Sequence, residues 1–214
     1  ALQECAEKGV RAVILFSSGF AETGPEGERL QRELTEYANS HGIRLLGPNC
    51  VGAANLTDGS IMSFYYIFTA HEFLLGEIAL VTQSGGVGGD ILKKSQEEVI
   101  GFNYWASTGN ETDLHFLDFV SYLLEQPEVK VVGGYTETIR DGRYFQQVAQ
   151  RAVLLNKPFV CMKVGTSDVG AEAAKMHTGC SAGDETVIGA AFRQNAVIRV
   201  KHKTELMDML QLAN

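Results

Sequence analysis

Short apolar, β-branched runs alternate with amphipathic stretches of helical period along the whole 214-residue chain. That alternation confines the fold to an α/β architecture built on a largely parallel sheet. The runs Ala12–Phe16, Ile43–Leu46, Glu77–Thr82, Phe102–Ser107, Val129–Tyr135, Pro158–Val164 and Val197–Val200 read as strands. Between them Glu26–Ser40, Val87–Glu98, Asp113–Leu124, Arg143–Leu155, the neighbourhood of Val169–Met176, Glu185–Gln194 and Thr204–Ala213 read as helices. Each places apolar side chains three and four apart. The five strands from Glu77 onward, with a helix after each, predict a flavodoxin-like doubly wound parallel sheet over residues 76–214. Residues 1–55 read as the last two strands of a different αβ unit, and 56–75, which lacks periodicity, reads as a linker.

Several classes fall away. Apolar residues make up 45% of the chain, enough for a core, so disorder is excluded. Eighteen Lys and Arg against 26 Asp and Glu leave a net charge of −8, which argues against a nucleic-acid binder. The longest apolar candidate, Ile61–Leu75, is interrupted by Ser63, Thr69, His71 and Glu72, so neither a membrane span nor a signal peptide is expected. The four cysteines (Cys5, Cys50, Cys161 and Cys180) form no CxxC pair. Reduced thiols in a cytoplasmic protein are therefore expected, and no metal-ligand spacing occurs. Ala1 opens what reads as the body of a helix, without Met or a capping residue, so a fragment, a processed product or one piece of a longer polypeptide is expected.

Glycine is over-represented, 23 of 214, and its clusters locate the chemistry. Thr82–Gly89 (TQSGGVGG) follows a strand and opens a helix. Backbone N–H groups of Ser84, Gly85 and Gly86 at that helix start suit a phosphate, the helix dipole adding partial positive charge. The P-loop lysine and the GxGxxG spacing are both absent, and a plain tight turn explains the same residues. In Met176–Gly183 (MHTGCSAG), His177 heads a small-residue loop; it is either a local packing residue or a nucleophile whose neutral imidazole attacks phosphorus. Glu137, in Tyr135–Arg143 at a strand end, is either a solvated charge or a carboxylate that orients an imidazole. Leu45–Gly52 (LLGPNCVG) is a strand-end turn carrying Pro48, Asn49 and Cys50, with no local partner for cysteine catalysis. Gly19–Gly24 (GFAETG) is a loop or a ligand-binding turn.

In this order, SSGFAETGPEGERLQREL, GIRLLGPNCVG, GEIALVTQSGGVGGDIL, STGNETD, YTETIRDGRYF, KPFVCMKVG, MHTGCSAGDE and FRQNAVIRV resemble the NDP-forming acyl-CoA synthetases. These are the acetate–CoA ligase (ADP-forming) type, related to the alpha subunit of succinyl-CoA synthetase. The resemblance implies that residues 1–55 end a Rossmann-like CoA-binding domain and that 76–214 form the ligase-CoA domain. It implies an acid–thiol ligase that interconverts acyl-CoA, phosphate and NDP with acid, CoA and NTP, through an acyl phosphate and a phosphohistidine. His177 matches the phosphorylated histidine, Glu137 the glutamate supporting it, and Ser84, Gly85 and Gly86 the phosphate-holding helix start. Pro48, Asn49 and Cys50 match the CoA-proximal turn. The implied partners are an ATP-grasp domain or beta subunit carrying the Mg-nucleotide, the rest of the CoA-binding segment, and further copies in an oligomer. Two rivals remain: a non-catalytic CoA-sensing module of a protein N-acetyltransferase, and a flavodoxin-like FMN binder.

Overall fold

A computed structural model describes residues 1–69, 73–165 and 185–214. The first unit is small. Helix α1 (Leu2–Glu7) precedes strand β1 (Ala12–Ile14), and helix α2 (Pro25–Ser40) crosses over to strand β2 (Arg44–Leu46), which pairs parallel with β1. Pro25 at the first helical position needs no N–H partner and presets the backbone for α2. Ala38, Ile43 and Leu45 are buried at its centre, with Leu34 and Val13 packed against them.

Strands β3 (Gly52–Asn55) and β4 (Ser60–Ser63) form an antiparallel hairpin, and β3 also pairs antiparallel with a strand of the main sheet. The main sheet then runs β5 (Ile78–Thr82), α3 (Gly85–Glu97), β6 (Phe102–Ser107), α4 (Phe116–Leu124), β7 (Val131–Thr136), α5 (Gly142–Leu154), β8 (Phe159–Lys163), α6 (Glu185–Gln194), β9 (Ile198–Val200) and α7 (Lys203–Ala213). Its seven strands lie in the order β4-β3-β6-β5-β7-β8-β9. The five strands β5 to β9 are mutually parallel, in the doubly wound flavodoxin order expected from the sequence.

Burial explains that order. All five residues of β5 are buried, as a central strand covered on both faces requires. One face packs Phe116, Val120 and Leu124 of α4 and Phe145, Val148 and Ala149 of α5 against Val81, Val132 and Phe159. The other packs Ile91 and Leu92 of α3 and Leu206, Met207 and Leu210 of α7 against Leu80, Trp105 and Val131. Each such aliphatic or aromatic side chain contributes roughly 1.5–3 kcal/mol by leaving water. Gly133 and Gly134 in β7 admit this packing, because a Cβ there would press on Leu210 and Phe116.

Three differences from the sequence expectation have local causes. Residues 56–75, read as a linker, carry β4 and a 3₁₀ turn (Tyr66–Thr69) with Ile67 buried. Their pairing partners lie in the hairpin and the main sheet rather than in a local period. Helix α4 starts at Phe116 rather than Asp113, because the Asp113 carboxylate is taken by Arg44 Nε (2.9 Å) and Leu45 N (2.7 Å), and Asp118 Oδ2 closes the helix start on His115 N. Helix α3 starts at Gly85, before the expected Val87, since Ser84 caps it. The helix expected near Val169–Met176 lies outside the described residues. Among the described residues no helix is long and apolar enough to cross a membrane.

Candidate active site

In a doubly wound sheet the ligand crevice opens where consecutive connections leave in opposite directions. Here β5 lies between β6 and β7, so the switch point falls at the carboxyl ends of β5 and β7. A cleft of about 360 Å³ opens there, and its walls include Asn49, Cys50, Ser84, Gly85, Gly86 and Glu137. The structure therefore gathers six of the sequence-predicted site residues from turns that are far apart in the chain. Pro48 stands behind this wall, its carbonyl accepting from Asn110 N (2.9 Å). His177 lies outside the described residues, as does Cys180.

Each part of the cleft has a local cause. Ser84 adopts extended backbone and its Oγ accepts from Val87 N, the usual work of an N-cap serine. Gly85 and Gly86 follow as the first helical residues, where N–H groups lack intrahelical acceptors and point out of the helix. A Cβ at Gly85 would come within 2.8 Å of the Val51 methyls, whereas one at Gly86 would meet nothing within 4 Å. The facing turn is set by a cis Gly47–Pro48 bond and by Asn49 in the left-handed region at φ 56°. Asn49 Nδ2 donates to Asn110 Oδ1 (3.2 Å), and Gly109 is needed because a Cβ there would overlap the Pro48 and Asn49 carbonyls. Cys50 is 2% exposed, and burial pushes its thiol up to about 11, so it forms an apolar part of the wall rather than a thiolate. Phe16 and Phe64 stand at the mouth, ring to ring at 4.9 Å.

The carboxylate side is organised by residues that sequence reasoning left without a role. Gln83, buried between β5 and the cap, reaches across to the end of β7. Its Oε1 accepts from Thr136 Oγ1 (3.0 Å), Thr138 N (2.9 Å) and Glu137 N, and its Nε2 donates to Thr138 O (3.1 Å). Lys163, the last residue of β8, donates from Nζ to Glu137 O (2.7 Å) and Val164 O (2.6 Å). Burial pulls its ammonium down to about 8. Glu111 is 2% exposed behind the Gly109–Asn110 turn, and Arg140 Nε lies 3.8 Å from its Oε2. The one signal available for Lys163 was a charged residue closing an otherwise apolar strand, FVCMK. Gln83 gave none, since its partners are 53 to 55 residues away.

An open helix N-terminus and a carboxylate thus line one cleft at the switch point of a doubly wound sheet, which places the chain in the class of doubly wound α/β domains with a polar cleft at the strand ends. Within that class the particular assignment is clear. The chain belongs to the succinyl-CoA ligase-like flavodoxin domain family, whose description, "Succinyl-CoA ligase like flavodoxin domain", matches residues 75–213. Residues 1–55 match a "CoA binding domain". The chain is 40% identical over 208 residues to the acetate–CoA ligase [ADP-forming] II subunit alpha of Pyrococcus furiosus, covering 97% of this chain and 44% of that one. It is 39% identical over 212 residues to the acetate–CoA ligase [ADP-forming] I of Archaeoglobus fulgidus, covering 99% and 30%. The solved structure of the dinucleotide-forming acetyl-coenzyme A synthetase 1 of Ca. Korarchaeum cryptofilum, in complex with phosphate and ADP, superposes with a TM-score of 0.90 at 32% identity, covering 98% of this chain and 44% of that one. The chain thus spans less than half the length of these relatives.

Proposed function

We propose that this chain supplies the CoA-ligase part of an NDP-forming acyl-CoA synthetase, an acid–thiol ligase working through an acyl phosphate and a phosphohistidine. The observation that carries the reading is the shared cleft at the switch point, where the Ser84–Gly86 helix start and Glu137 face one space. In this reading phosphate sits on the N–H groups of Gly85 and Gly86, with Ser84 beside it. CoA approaches along the turn Pro48–Asn49–Cys50. Residues 1–55 belong to the CoA-binding unit and 76–214 to the ligase unit.

The transfer balances without a redox step. Acyl-CoA and phosphate exchange to give acyl phosphate and free CoA. A ring nitrogen of His177 then attacks phosphorus, an N–P bond forms, and the P–O bond to the acyl group breaks, releasing the acid. Glu137 takes the hydrogen bond of the other ring nitrogen and stabilises the developing imidazolium. The phosphoryl group next passes to NDP, whose magnesium complex is held by an ATP-grasp domain or beta subunit. The complete enzyme is an oligomer of these parts in the cytoplasm, a setting in keeping with the free thiols of Cys5, Cys50 and Cys161.

The test is incubation with acetyl phosphate followed by intact mass measurement, with His177→Ala beside it. The expected result is a gain of one phosphoryl group that is lost in acid and absent from the variant. An adduct of equal yield in His177→Ala overturns the assignment. So does the lack of any adduct when the chain is assembled with its nucleotide-binding partner.

A further inference from the structure

Glu137 is held in a way that its position at a strand end does not require. Its N–H donates to a side chain, Gln83 Oε1, and its C=O accepts from a side chain, Lys163 Nζ. The two clamping residues come from opposite sides of β7: Gln83 follows β5 and Lys163 ends β8. Both are buried, at 6% and 4% exposed. A buried polar side chain is retained at a cost unless it is satisfied, and these two are satisfied chiefly by the backbone of the loop after β7, with Thr136 Oγ1 and Val164 O as their further partners. Gln83 alone makes four hydrogen bonds to Thr136, Glu137 and Thr138, using both its oxygen and its amide nitrogen. Its own N–H donates to Tyr135 O and its C=O accepts from Gly109 N, so the same residue ties the phosphate turn to the loop carrying Asn110.

We infer that Gln83 and Lys163 are positioning residues, a two-sided clamp on the peptide groups of Glu137 that fixes its carboxylate relative to the helix start at Ser84–Gly86. The inference rests on the phosphohistidine reading for its catalytic meaning, but the clamp itself is a geometric statement about the loop. Ordinary sheet pairing leaves a strand-end residue free to fray. Here the residue beyond β7 has both its peptide N–H and its C=O held by buried side chains, as pre-organisation of a charge next to a reacting phosphoryl group demands. The groups facing Lys163 are the neutral thiol of Cys161 on its own strand, the carboxylates of Glu137 and of Glu185 in α6, which favour its charge, and the guanidinium of Arg199 in β9, which opposes it.

The test combines two readouts on the full chain, using Gln83→Leu, the nearly isosteric Gln83→Glu, Lys163→Met and Lys163→Arg. In the acetyl phosphate reaction, Gln83→Leu and Lys163→Met are each expected to lower the maximal rate of His177 phosphorylation at least tenfold. The acetyl phosphate concentration at half-maximal rate should change less than threefold. Lys163→Arg should recover part of the loss. In a Glu137→Gln background the same substitutions should cost less than a further twofold, because the carboxylate they position is gone. Full multiplication of the losses overturns the clamp. The second readout is hydrogen exchange of the Glu137 and Thr138 amides, which Gln83→Leu should accelerate at least tenfold while amides of β5 stay protected, whereas Gln83→Glu, which keeps the accepting oxygen, should change them far less. Unchanged exchange in Gln83→Leu overturns the clamp independently of any activity. If Glu137→Gln leaves phosphorylation unaltered, the role of Glu137 fails, and the exchange result alone decides whether Gln83 holds the loop.

Discussion

Glu111 shows how far a residue's surroundings can depart from what its neighbours in sequence suggest. It lies among the polar residues of Thr108–Asp113 between β6 and α4, yet it is 2% exposed and stands in the left-handed region at φ 56°. Its Oε1 accepts from Thr108 Oγ1 (2.7 Å) and from Phe116 N (2.8 Å), which anchors the start of α4. Burial pushes its carboxyl from 4.5 up to about 7. The folded form therefore holds the proton more tightly than the unfolded chain. That share of stability is fully present below about pH 4.5 and is lost as pH rises through about 7. Glu111→Gln keeps the acceptor and removes the titration. Urea unfolding at pH 5 and pH 8 is expected to show a smaller pH-dependent loss in the variant, the difference being on the order of 3 kcal/mol or less. An identical loss in both proteins would contradict the buried-acid account. Glu137 was legible because a strand-end carboxylate in an α/β sheet sits at the ligand edge. Gln83 was not, because its partners lie 53 to 55 residues away, and Glu111 was not, because no local pattern marks a carboxylate that the fold buries.

At the scale of elements, the start of α3 separates a glycine with open space beside it from glycines that packing requires. Gly86 faces open space, while a Cβ at Gly89 would overlap the ring of Tyr65, and one at Gly88 would press on Thr82, beside the Trp105 Nε1–Gly88 O hydrogen bond of 3.0 Å. Gly86→Ala is expected to leave stability unchanged or raise it by up to about 1 kcal/mol, since alanine favours helix. Gly89→Ala is expected to lower it by about 1–3 kcal/mol, since Tyr65 must leave its place. Thermal unfolding of the two variants side by side checks the contrast, and equal melting points would refute it. The same element explains what was legible. Continuous runs such as IALVT announced the central strands, and Gln-Ser-Gly-Gly announced a turn into a helix. The hairpin strands GAAN and SIMS announced nothing, because they become strands through pairing with each other and, for GAAN, with Tyr104–Ser107.

Across the whole molecule, the N-terminal unit and the main sheet are joined by more than a covalent link. Strand β3 pairs with β6 from Gly52↔Ser107 to Asn55↔Tyr104, and the Asn110 side chain reaches back to Glu22 Oε2 (2.5 Å) and Gln31 Oε1 (3.0 Å). Arg44 adds a paired contact to Asp113. A polypeptide limited to residues 76–214 would bare the backbone edge of β6 together with part of the core face of Trp105, which packs edge-on against Phe68. Such a polypeptide is expected to self-associate in size-exclusion chromatography and to unfold at lower urea than the full chain. A monomer of undiminished stability would show that the hairpin is dispensable. The five-strand order could be read from the alternation of elements, but this joint could not, because a connection through an antiparallel edge has no period of its own. The joint also sets a timetable. As the chain leaves the ribosome, the hairpin is complete by residue 63, yet the strand that it must lie against ends only at residue 107. For that interval the newborn N-terminal unit carries an open seam, and the nascent protein depends on the next forty or so residues arriving to close it.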